Sequence, residues 1–176
     1  MKQTVSDIIK EQDIREWKQG DKILIKAGTG RGKTHFVKTV LPRYADTNNR
    51  ILFLSNRKSL NQQTQNEVMQ MGGQWLIECM TYQKLEQQIL DEKESLMEFK
   101  YIVCDEAHYF FMDSTFNHMT NVSADYIKDC TQDKIVIMMT ATPKRLKAYF
   151  GIDDKHLYEI DTEYDYITQI YRYSKF

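Results

Sequence analysis

At 176 residues, with 41% apolar and 28% charged side chains, the chain has the composition of one globular domain with a sizeable core, which excludes a disordered or fibrous polypeptide. A formal net charge of −1 excludes a globally basic field, so any nucleic-acid surface must be local. No apolar run reaches the length of a membrane span, Met1 is not followed by a signal-peptide pattern, and Cys79, Cys104 and Cys130 form no CxxC pair. The thiols therefore read as reduced, in a cytoplasmic setting, without a zinc site, disulfide framework or membrane partner.

Residues 1–18 are expected to form one amphipathic helix, with Val5, Ile8, Ile9, Ile14 and Trp17 at roughly helical spacing and Gly20-Asp21 as the break. The simpler reading packs it on a sheet edge; the sharper one lets Trp17, Arg15 or Gln19 touch an adenine base. A short strand over 22–26 then runs into Ala27-Gly28-Thr29-Gly30-Arg31-Gly32-Lys33-Thr34, and a helix is expected over 35–44. Strand, glycine-rich loop, Lys-Thr and helix make the phosphate-binding (Walker A) arrangement. Glycines let the backbone curl so that successive N–H groups face a polyphosphate, and the helix adds its positive end. Lys33 would reach the β- and γ-phosphates, and the Thr34 hydroxyl would hold Mg²⁺. Ala27 stands where the strict pattern has Gly. The alternative is an ordinary glycine-rich βα turn.

Asp46-Thr47-Asn48-Asn49 reads as a turn, and 50–55 as a second strand ending in Ser55-Asn56-Arg57 before a polar helix. These three residues suit a phosphodiester backbone; Arg57 equally suits a local carboxylate or solvent. After Gly72-Gly73, a strand over 75–80 leads to Thr81-Tyr82-Gln83 and a helix over 83–94, with Thr81 a further candidate phosphate contact. The fourth strand, 101–104, runs directly into Asp105-Glu106-Ala107-His108. Asp105 would hold Mg²⁺, and Glu106 would orient and deprotonate the attacking water. Both must lie beside the phosphate loop, which is expected to make the first and fourth strands neighbours.

His108 has metal-ligand, general-base and relay readings, with no second His or Cys at ligand spacing. Tyr109-Phe110-Phe111-Met112 reads as core packing or as a base-stacking surface, and Phe116, Met119 and Val122 as a helical stripe. A fifth strand over 134–139 ends in Thr140-Ala141-Thr142-Pro143, a short helix follows over 144–150, and 157–160 and 167–173 are extended. Apolar strands alternating with polar helices predict an α/β domain, a mostly parallel sheet covered on both faces. Its ligand residues lie at strand C-terminal ends.

The set Ala27 to Thr34, Ser55-Asn56-Arg57, Thr81-Tyr82-Gln83, Asp105-Glu106-Ala107-His108 and Thr140-Ala141-Thr142 resembles, in order and spacing, motifs I, Ia, Ib, II and III of the first RecA-like motor domain of superfamily-2 helicases of the DEAH type. The resemblance covers nearly the whole chain and implies one RecA-like ATP-binding domain over 1–176, with an N-terminal helix over 1–20 and segments leading out over 157–176. It implies ATP and Mg²⁺ bound by residues 28–34 with Asp105 and Glu106, and nucleotide state coupled to a nucleic-acid surface through His108, Thr140 and Thr142. Arg57 and Thr81, with Ser55 and Asn56, would contact the strand, DNA favoured over RNA. The glutamine motif that reads adenine in DEAD-box relatives has no clear counterpart. Such motors need a second RecA-like domain, in cis or trans, to supply an arginine finger worth about 10³–10⁵ in rate. No segment after Phe150 is long enough to be that domain, so this chain alone is expected to bind ATP and turn it over slowly. Two other classes remain: a nucleotide-gated adaptor, and a small-molecule phosphotransferase, for which Asp-Glu-Ala-His and Thr-Ala-Thr have no evident use.

Overall fold

Strands with no polar side are stable only when helices cover both sheet faces, and the computed structural model shows how this chain meets that demand. It describes residues 2–73, 75–91, 98–111, 119–129 and 131–160. Six strands, β1 (Lys22–Lys26), β2 (Arg50–Ser55), β3 (Ile77–Thr81), β4 (Phe99–Cys104), β5 (Ile135–Thr140) and β6 (Leu157–Glu159), form one all-parallel sheet in the order β3-β2-β4-β5-β1-β6.

Alternate residues face opposite sides, as strand geometry requires. Ile23, Ile25, Ile51, Phe53, Val103 and Ile137 enter one buried cluster. Leu24, Leu52, Leu54, Ile102, Val136 and Met138 enter the other. Helices α1 (Val5–Ile8), α2 (Glu11–Glu16) and α4 (Lys58–Gln70) cover the first face through Val5, Ile14 and Val68. Helices α5 (Tyr82–Leu90), α6 (Met119–Asp129) and α7 (Lys144–Phe150) cover the second through Leu85, Ile127 and Leu146. Each such side chain contributes about 1.5–3 kcal/mol of burial.

The N-terminal segment is two short helices, not one. The Thr4 N–H and hydroxyl both donate to Asp7, and the Lys10 N–H donates to Asp13, so each carboxylate starts its own helix; Ile9 between them is extended. Trp17 packs edge-on against Tyr158 and donates to its hydroxyl at 3.3 Å, which fastens this segment to the β6 edge. After the phosphate loop, α3 (Lys33–His35) widens into a π turn, Phe36–Val40, and tightens into a 3₁₀ turn, Leu41–Tyr44. Pro42 supplies no N–H, so the α-helical ladder cannot run through it.

The expected contact between first and fourth strands is not made: β5 lies between β1 and β4. The loop after β1 crosses the tip of β5 instead, with the Ala27 N–H donating to the Thr140 carbonyl at 3.0 Å. Two strand spacings, about 9–10 Å, are then spanned by loop and lysine side chain together. The third strand begins at Ile77, and Trp75 stays largely exposed. Tyr109 stacks on Tyr82, Phe110 is buried and Phe111 meets Tyr149 edge-on, so this aromatic run packs into the domain. Met112, Phe116, His118, Cys130 and the extended segment expected at 167–173 lie outside the described residues. Among the described residues no helix is long and apolar enough to cross a membrane.

Candidate functional site

The loop after β1 is held from three sides. Gly30 and Gly32 have φ of 75° and 76°, the left-handed region in which a side chain is strained. A Cβ on Gly32 would also stand 3.3 Å from the Thr4 Cβ. The Val5 N–H donates to the Arg31 carbonyl at 2.9 Å, and the Phe36 N–H to the Gly32 carbonyl at 2.9 Å. With the Ala27–Thr140 bond, these contacts leave Thr29 and Gly30 exposed at the tip, Gly28 buried beneath it, and Thr34 half-buried at the start of α3. The clasp from Thr4 and Val5 escaped sequence reasoning; a Thr-x-x-Asp helix start is legible, but not what it leans on.

Lys33 is buried, and its Nζ donates to the Ala27 carbonyl at 3.1 Å and to Glu106 Oε1 at 2.9 Å. Glu106 has φ of 47°, the positive value found among the described non-glycine residues. Such a backbone costs about 1–3 kcal/mol and persists only where its surroundings enforce it. Here the Tyr109 N–H holds the Glu106 carbonyl at 2.9 Å and Lys33 holds its carboxylate.

Asp105 is 4% exposed, and its Oδ1 has no hydrogen-bond partner. Burial raises its carboxyl above the ordinary range; the Lys33 ammonium opposes that rise, and the Glu106 carboxylate adds to it. The strand tip itself is fixed, the Asp105 N–H donating to the Leu54 carbonyl at 2.8 Å and the buried Tyr82 hydroxyl to the Asp105 carbonyl at 2.9 Å. Tyr82 is a supporting residue that sequence reasoning passed over, its signal being only its place after Thr81.

His108 Nδ1 lies 3.3 Å from Glu106 Oε2, out of line for a hydrogen bond. Thr140 is buried, and its hydroxyl accepts the Thr142 N–H at 3.0 Å. His108 and Thr142 face one cavity of about 370 Å³, shared with Lys144 and Arg145.

Ser55 and Thr81 are register partners at the tips of β2 and β3, separated from β1 by β4 and β5. The buried Ser55 hydroxyl donates to Asn61 Oδ1 at 2.7 Å, so it is engaged within the domain. The Thr81 hydroxyl accepts the Lys84 N–H at 3.2 Å, capping α5. Arg57 is exposed and Asn56 half-buried. Two groups therefore share one sheet edge: Lys33, Thr34, Asp105 and Glu106 at its centre, and Asn56, Arg57 and Thr81 to one side.

A curled backbone, a buried ammonium and a buried carboxylate oxygen without a partner form a cradle for a polyphosphate with its divalent cation. The unpartnered Asp105 oxygen is the feature that fits a cation. Residues 2–145 match the family described as "Type III restriction enzyme, res subunit". The chain belongs to this family. The matched span contains every site residue above and stops inside α7, before β6. No curated protein matches the chain significantly.

Among solved structures, the chain is similar to the Hef helicase domain of Pyrococcus furiosus, at 22% identity and a TM-score of 0.57, over 80% of this chain and 35% of that one. It is also similar to a DEAD box protein from the hyperthermophile Methanococcus jannaschii, at 18% identity and a TM-score of 0.59, over 81% of this chain and 46% of that one. Its fold is accordingly that of a RecA-like helicase domain, and it spans less than half the length of either structure.

Proposed function

We propose that this chain is the ATP-binding N-terminal motor domain of a nucleic-acid helicase or translocase of the DEAH type, completed by a second RecA-like domain in cis or trans. The observation that carries the reading is the 2.9 Å pair between Lys33 and Glu106 beside the unpartnered Asp105 oxygen, which joins two segments far apart in sequence. Backbone N–H groups of residues 28–34 and the Lys33 ammonium bind the phosphates. Thr34 and Asp105 would hold Mg²⁺, which would supply charge neutralisation for the bound polyphosphate.

Lys33 donates to the Glu106 carboxylate. Phosphate oxygens compete for Lys33, and the released Glu106 carboxylate accepts a proton from the water whose oxygen bonds to the γ-phosphorus as the bond to the bridging oxygen breaks and ADP leaves. His108 and Thr142, around their shared cavity, relay the nucleotide state, with Thr140 holding Thr142 in place. Asn56, Arg57 and Thr81 contact the strand backbone, and Ser55 shapes that loop from beneath. The restriction-enzyme description of the family supports DNA over RNA, and the free thiols of Cys79 and Cys104 support a reducing, cytoplasmic compartment.

The test is equilibrium binding of ATP-Mg²⁺ and steady-state turnover by the 176-residue chain, with and without single- and double-stranded DNA and RNA, against Lys33→Ala as blank. Binding well above the blank with little turnover is expected, because the arginine finger belongs to the second domain. Binding no better than the blank overturns the nucleotide site, and full stimulated turnover overturns the need for a second domain.

A further inference from the structure

A groove of about 530 Å³ runs between α4 and the edge strand β3. Its α4 wall is a ladder of carboxamides, Asn61, Gln62, Gln65 and Asn66, whose i, i+1, i+4, i+5 spacing puts them on one side of the helix. Lys58 lines it from the first turn of α4, and Lys84 from the first turn of α5. Among the described residues, no carboxylate lines it.

Two of the amides are anchored. Asn61 Oδ1 accepts from Ser55 at 2.7 Å, and Gln65 Oε1 accepts the Cys79 N–H at 3.2 Å, which covers part of the β3 edge. Asn61 is more than nine-tenths buried, and its Nδ2 has no hydrogen-bond partner. Gln62 and Asn66 are exposed along the rim. Cys79 lines the β3 wall; burial pushes its thiol up to about 12, so it stays neutral and offers a soft, polarisable surface. Thr81 lines the groove too, which places it beside the proposed phosphodiester contacts at the tips of β2 and β3.

A carboxamide presents a donor and an acceptor in one plane, the pattern that matches the hydrogen-bonding edge of a base, adenine above all. Lysines on both sides suit the flanking phosphates, and the volume lies within the range of small-ligand pockets. We propose that this groove receives one unstacked nucleobase of the bound strand, its edge read by the α4 carboxamides while Lys58 and Lys84 hold the adjoining phosphates. The assignment rests on the nucleic-acid reading above and extends it from backbone contact to base contact.

The experiment measures the affinity of the full chain for single-stranded DNA homopolymers of dA, dC and dT, and for an abasic strand of equal length, by fluorescence anisotropy. A strand carrying 2-aminopurine reports unstacking in parallel. The protein should bind dA about tenfold more tightly than the abasic strand, with a rise in 2-aminopurine emission. The exposed pair Gln62→Ala and Asn66→Ala together should bring dA binding down to the abasic level and abolish the emission change. Abasic affinity and ATP binding should stay where they were. Equal affinity for base-bearing and abasic strands, or a double variant that still discriminates, overturns the groove assignment and leaves backbone binding standing. Failure to bind any strand, the abasic one included, overturns the nucleic-acid reading and the groove with it.

Discussion

Glu86 and Asp105 are both buried carboxyls, at 2% and 4% exposure, and both are raised by that burial. Their surroundings are opposite. Glu86 faces α6 and accepts the Ser123 hydroxyl at 2.9 Å, which opposes the rise. Asp105 sits at a strand tip with one oxygen unpartnered and a second carboxylate next to it. Burial of an acid therefore does not mark a ligand site by itself. An acid left unsatisfied at a strand tip is the stronger mark, because the domain there forgoes stability that a bound cation would restore.

The largest effects should fall on the unsatisfied side. Lys33→Ala should weaken ATP binding by more than about tenfold, since a charge-assisted contact to phosphate contributes about 1.5–3 kcal/mol. Glu106→Gln should bind ATP at least as tightly as the parent, because Lys33 loses its competing carboxylate, while turnover by the completed motor falls about 10²–10⁴-fold. Equal loss of binding in both variants would remove Glu106 from water activation.

Next, Asp105→Asn should abolish the Mg²⁺ dependence of ATP binding and yet raise the melting temperature by about 2–4 °C, the equivalent of about 1 kcal/mol in a domain of this size. A lower melting temperature would show that the Asp105 carboxylate is satisfied within the domain, and the contrast with Glu86 would collapse. Arg57→Ala, away from both acids, should lower strand affinity and reduce the salt slope by about 1, leaving ATP binding alone. An unchanged slope takes Arg57 off the strand.

The smallest effect belongs to Glu86→Gln. The folded-state pKa of Glu86 is raised above its unfolded value, so its contribution to stability is fully present below the unfolded pKa and is lost as pH rises through the folded one. In urea denaturation the difference between Glu86→Gln and the parent should grow in the variant's favour as pH rises from acid, reaching up to about 1 kcal/mol at neutral pH. ATP affinity should not move. A shift matching that of Asp105→Asn would merge the two acids into one site.

The strand-to-loop junctions at Lys26, Ser55, Thr81, Cys104 and Thr140 were legible because each couples an apolar run to small or charged residues. Pro143 and Gly151 likewise mark the limits of α7, Gly151 adopting φ of 65°. Sheet order was not legible. Whether β4 or β5 adjoins β1 depends on how crossover helices pack, and no local pattern records that. The break at Ile9 was half-legible, since Asp7 and Asp13 are of a residue type that starts helices, while the apolar spacing from Val5 to Trp17 alone predicts one helix. The carboxamides of α4 read only as part of a polar helix, because their other wall, Cys79 to Thr81, comes from a strand whose edge position only the assembled sheet defines.

The bond from the Val5 amide to the Arg31 carbonyl makes the first helical turn a structural brace for the loop that follows β1. A recombinant version trimmed to begin at Lys22 would keep all six strands and every charged group of the cradle, and still lose that brace. The isotope-exchange rate of the Val5 amide is thus a local clock for the opening of a loop in which it has no covalent part.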